Sequence, residues 1–160
     1  MIEIEIEAEA WTAALPDTEA VVERAAQAAL GAVQGDTVVL LTDDAAVREL
    51  NGRFRDKDKP TNVLSFPMIQ PDLLATVTQN SDDGEVLLGD IVLAHGVCAA
   101  EAEERGISVA DHATHLIVHG CLHLLGHDHQ NDAEAEAMEA IERSTLAELG
   151  LHDPYPVTED

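Results

Sequence analysis

The chain has 160 residues, 46% of them apolar, enough for one domain with its own core and no staples. Against 32 Asp and Glu stand only 8 Lys and Arg, a formal charge of −24, so the surface as a whole repels polyanions and DNA is not an expected partner. With one Trp, one Tyr and two Phe, the core has to be built from Ala, Val, Leu and Ile, and broad aromatic platforms for stacking bases are excluded.

Residues 2 to 9 alternate Ile and Glu, the period-two pattern of an outer strand with one wet face. Pro16, Asp17 and Thr18 open an Ala-rich helix to about Ala32, with Val21, Val22, Ala25, Ala29 and Leu30 along one side, ended by Gly35 and Asp36. Thr37 to Thr42 is a β-branched strand, and Asp43 or Asp44 caps a brief helix carrying Ala46, Val47 and Leu50. Asn62 to Phe66 reads as a strand stopped by Pro67, and residues 68 to 84, polar and turn-rich, as a mobile loop. Val86 to Ala94 is a fourth strand, followed by a helix from His95 to Glu104 that Gly106 ends. Ser108 caps a helix from Val109 to Leu125 that stops at Gly126, and a last helix runs from about Asp132 to Leu149. The expectation is an α/β (α+β) fold, a single domain over residues 1 to 160, with one small mixed sheet of about four strands and about five helices.

Nothing near the N-terminus resembles a charged segment followed by an apolar run, and no stretch approaches the roughly 20 apolar residues of a membrane span, so a cytoplasmic chain without membrane contact is expected. Cys98 and Cys121 fit no CxxC pairing and read as buried, inert thiols. Positive charge is concentrated: Arg48, Arg53, Arg55, Lys57 and Lys59 are five of the eight basic residues. Such a run is either a solvated segment paired to Asp56 and Asp58 or a phosphate-binding site.

Six of the eight histidines lie between His112 and His129. His119 and His123, four apart in a predicted helix, project from one face on successive turns and can converge on one ion. Gly126 lets the chain reverse, so that His129 supplies a third ligand at the end of this long helix. Three histidines leave a fourth position for water, the open geometry of a catalytic zinc, one per chain. His115 and His123 are about 12 Å apart along the helix, too far for one ion; His115 with His119 and the nearby His127 are the weaker alternatives. Zinc peptidases with this spacing place Glu directly after the first His, whereas here that position is Gly120.

HGCLHLLGHDH (119 to 129), together with LNGRFRDKDKPTNVLSFP (50 to 67) and LLGDIVLA (87 to 94), resembles the YbeY family, and the likeness extends over almost the whole chain. The resemblance implies a zinc-dependent endoribonuclease of single-stranded RNA that processes ribosomal RNA, especially the 3′ end of 16S rRNA, and serves ribosome quality control, with ribosomal or ribosome-associated proteins as partners. It assigns His119, His123 and His129 to zinc and Arg55 to the active-site cleft. The chain departs from many relatives in its acidity and in Phe54. Arg55 would clamp the scissile phosphate as a catalytic group, and Lys57 and Lys59 would bind flanking phosphates of the substrate. Asp90 and Asp128 are candidates for supporting the ligands. The alternatives are a metallopeptidase and a non-catalytic ribosome-associated binding factor.

Overall fold

The structure, a computed structural model, describes residues 2–15, 17–31, 36–55, 62–67, 87–125 and 132–151. Among them are four strands, β1 (Ile2–Ile6), β2 (Asp36–Thr42), β3 (Val63–Pro67) and β4 (Leu87–Ala94). They form one mixed sheet in the order β1-β2-β4-β3, with β1, β2 and β4 parallel and β3 antiparallel to β4. The alternating Ile and Glu of β1 match its place at an edge, half wet, whereas central β4, apolar except at Gly89 and Asp90, packs Ile91 and Leu93 on one face and Val92 and Ala94 on the other. Pro67 is tolerated because β3 is the other edge.

Six helices are described: α1 (Glu9–Ala14), α2 (Thr18–Leu30), α3 (Asp44–Arg55), α4 (His95–Arg105), α5 (Val109–Leu124) and α6 (Asp132–Glu148). The main core lies between α2, α5 and one sheet face, where Val39, Leu41, Ile91 and Leu93 meet Val22, Ala25, Ala113, Ile117 and Cys121. Leu88 joins this face because the β2–β4 register shifts at Asp36/Thr37, where Thr37 pairs with Gly89. Val47 of α3 packs with Leu64, Val92 and Ala94 on the opposite face. Each fully buried Leu or Ile contributes about 1.5–3 kcal/mol through removal from water.

Local signals explain where the helices begin and end. Asp43 Oδ1 accepts from Ala46 N–H at 2.8 Å and starts α3. The neighbouring Asp44 serves another helix: its Oδ1 accepts from Val97 N–H at 3.1 Å and caps α4, which has no side-chain cap of its own at Ala94. A Cβ at Gly96 would run into the Asp44 carboxylate and push it out of this capping position. Gly106, at φ 70°, ends α4 in the left-handed conformation, and Ser108 Oγ accepts from Asp111 N–H at 3.0 Å to start α5.

Three expectations are corrected. The Ala-rich stretch after β1 forms the short helix α1, whose Trp11 is buried and donates through Nε1–H to Thr42 O at 2.9 Å. Helix α2 ends earlier than its composition suggests, at Gly31 with φ 57°, and Asp36 begins β2. Helix α3 is not brief: it continues through 12 residues to Arg55, so the first three basic residues of the charged segment are helical. The stretch 68 to 84 and Gly126 lie outside the described residues.

Candidate functional site

Helix α5 carries His112, His115, His119 and His123 at spacings of three and four, and their rings form a row with centroids 6.1, 6.4 and 4.7 Å apart in succession. At its C-terminal end, His119 Nε2 and His123 Nε2 stand 3.2 Å apart. Two nitrogens each about 2.0–2.1 Å from a tetrahedral zinc are separated by about 3.3 Å, so this pair fits one ion in distance and in donor type. Among the described residues no group of three His, Cys, Asp or Glu side chains is placed to hold a metal; the expected third ligand, His129, lies outside them, as does His127.

A residue the sequence did not single out enters here from α6. Glu142 is buried, with 1% of its side chain exposed, and its Oε1 lies 2.7 Å from His119 Nδ1 and 3.4 Å from His115 Nε2. Its signal is the helical period, which places it on the apolar stripe of α6 with Met138 and Leu146, among several other glutamates of the same helix.

The position after His119 faces the sheet. A Cβ on Gly120 would stand 3.0 Å from Ile91 Cγ2 and 3.2 Å from two further Ile91 carbons, so the helix approaches β4 there because the residue is glycine. The place where a peptidase would carry its base is filled by the core.

At the N-terminal end of the row, His112 Nε2 donates to Glu101 Oε1 at 2.8 Å, and Asn62 Nδ2 donates to the same oxygen at 3.0 Å. Burial holds His112 below its ordinary value of 6.5 and outweighs the opposing pull of Glu101. Glu101 is itself below 4.5: burial pushes it up, but the hydrogen bonds from His112 and Asn62 prevail. The pair is therefore a neutral imidazole donating to a carboxylate, with His112 Nδ1 buried and lacking a hydrogen-bond partner among the described residues.

A family model described as Endoribonuclease YbeY matches residues 3–150. The chain belongs to the YbeY family. Over their full lengths it is 54% identical to the Endoribonuclease YbeY of Rhizorhabdus wittichii. It is 50% identical to that of Paramagnetospirillum magneticum over 96% of this chain and 94% of that one, and 62% identical to that of Sphingopyxis alaskensis over 75% and 71%. A solution structure from Thermotoga maritima, 23% identical, superposes with a TM-score of 0.55 over 98% of this chain and all of that one, and shares the fold. The α/β architecture expected from the sequence is the one the chain adopts and shares with that structure.

The other expected residues are distributed as follows. Arg48, Arg53 and Arg55 lie on α3, with Arg55 its last residue, and Arg53 Nη2 forms an exposed pair with Glu49 at 3.0 Å. Lys57, Lys59 and Asp128, and the side chain of Arg55, lie outside the description. Asp90 does not support the histidines: it neighbours Ile91, which faces α5, and turns to the opposite sheet face, lining a groove of about 380 Å³ with Glu5, Val38, Leu40, Leu50, Phe66 and Val92. Cys98 and Cys121 are buried as expected, and burial pushes both thiols up to about 12, with Glu101 adding to the effect at Cys98, so neither is a nucleophile. No helix among the described residues is long and apolar enough to cross a membrane.

Proposed function

We propose that this YbeY-family endoribonuclease is zinc-dependent, cleaves single-stranded RNA and acts in the cytoplasm on the 3′ end of 16S rRNA, alongside ribosomal or ribosome-associated proteins. The observation that carries the metal reading is the approach of His119 Nε2 and His123 Nε2 to 3.2 Å; His129, three residues after Gly126 in the sequence, is the third donor of the proposal. When bound, zinc supplies a Lewis acid and a water of lowered pKa. The chain's own contribution is positive charge in an acidic protein. Arg55, in the basic segment, binds two non-bridging oxygens of the scissile phosphate and offsets the charge that grows on them, while Lys57 and Lys59 hold flanking phosphates. With only eight basic residues, five of them at 48–59, few phosphates can be neutralised, so binding should weaken with salt along a shallow slope. The peptidase alternative is disfavoured by Gly120, which presents to Ile91 the position that a base would need.

The test is metal analysis of the purified protein, followed by digestion of a single-stranded RNA and of casein before and after chelation. RNA cleavage that chelation removes and zinc restores, with casein intact, is the expected result. Cleavage indifferent to chelation overturns the zinc reading, and casein digestion overturns the substrate assignment.

A further inference from the structure

We infer that Glu142 is a positioning residue for the metal site, fixing the tautomer and aim of His119. The inference rests on the reading of His119 and His123 as ligands. The 2.7 Å contact between His119 Nδ1 and Glu142 Oε1 is at the short end for N–H···O and falls in the range of charge-assisted hydrogen bonds. A carboxylate accepts, so Nδ1 is the nitrogen that carries the proton. Nε2 is left with its lone pair, and Nε2 is the atom that meets His123 Nε2. Drawing the Nδ1 proton toward a carboxylate makes Nε2 a stronger donor to a cation, and anchoring the ring removes rotamers that would turn that lone pair elsewhere.

The placement of Glu142 suits this role. The residue is 23 positions away on α6, so it holds the ring from a separate helix, and burial of its side chain keeps water from competing for Oε1. The same oxygen lies 3.4 Å from His115 Nε2, which explains a histidine that the metal does not need: His115 stands between His112 and His119 and turns its Nε2 toward Glu142. The competing explanation is that Glu142 only clasps α6 to α5.

Glu142→Gln and Glu142→Ala separate the two, with zinc affinity measured by competition against a chromophoric chelator and thermal stability measured on the metal-free protein. The amide keeps the shape and an acceptor oxygen but loses the charge, so Glu142→Gln should weaken zinc about tenfold, and Glu142→Ala by up to about a hundredfold. A clasp alone would lower the melting temperature of the metal-free variants and leave zinc affinity within twofold of wild type, and that result overturns the inference. Should Glu142→Ala fail to fold, Glu142→Gln decides. Zinc bound normally by wild type and equally well by the variants removes only Glu142 from the site. Absence of zinc binding by wild type removes the ligand reading and this inference together.

Discussion

His112 and His119 are seven residues apart on one helix, and each is bonded to a carboxylate from a neighbouring helix: Glu101 of α4 in one case, Glu142 of α6 in the other. What differs is the second nitrogen. In His112 it is sealed in the interior, with 1% of the side chain exposed, whereas 23% of the His119 side chain is exposed and its Nε2 faces another imidazole. The same pair of groups is structural where the helix is covered and, in the function proposed above, supports a ligand where it emerges. Burial, more than residue type, separates the two ends of the row.

The sharpest way to break this contrast is to remove the open end. His119→Ala/His123→Ala should abolish zinc binding and RNA cleavage while leaving a folded protein, by metal analysis and circular dichroism; one zinc per chain retained in the double variant would return both residues to the structural class.

Next in size is Arg55→Ala, expected to lower RNA turnover by two to three powers of ten, about 2.7–4 kcal/mol, with zinc content and melting temperature near wild type. Lysine should restore it only in part, because a point charge lacks the two-pronged contact. Near-equal rates for all three proteins would make Arg55 a surface residue.

The closed end should respond in stability and not in metal. His112→Phe removes a buried hydrogen bond and should cost about 1–3 kcal/mol by chemical denaturation, with zinc affinity unchanged. Its pH dependence has a definite sign. The unfolded state takes up a proton near 6.5 that folded His112 refuses, and one near 4.5 that folded Glu101 refuses, so stability falls on acidification, first below about 6.5 and again below about 4.5. Measured in EDTA, where ligand protonation makes no difference to metal content, the His112→Phe variant should lose the upper of these two steps; an unchanged profile would contradict a neutral buried imidazole. The smallest effect belongs to Arg53→Ala, whose exposed pair with Glu49 is worth about 0.3–0.5 kcal/mol.

The sequence was most legible where a chemical pattern has one geometric outcome. The four-residue spacing of His119 and His123 forces both onto one face, Ser108 and Gly106 punctuate the helices as their residue types require, and the largely apolar segment 87–94 lies at the centre of the sheet. It was least legible where two distant residues share a task. Nothing in a single chain marks Asp44 as the cap of α4 rather than of its own helix, and the place of Glu142 on the apolar stripe of α6, four residues from both Met138 and Leu146, does not say which side chain it meets. Trp11 illustrates a third kind of loss: six residues with one large apolar side chain are too short for periodicity to declare a helix, and burial under β2 makes it one.

The contact between Gly120 and Ile91 also bears on how this chemistry could change over generations. An acidic residue after His119 would bring the chain closer to a zinc peptidase motif by one codon, yet it would meet a completely buried isoleucine at the centre of β4. Shrinking Ile91 first, to alanine, opens a cavity at a cost of about 2–5 kcal/mol, against a total stability on the order of 5–15 kcal/mol for a domain of this kind. Either substitution alone is penalised before the other can compensate, so the two hydrolytic chemistries are separated by an epistatic valley that packing maintains.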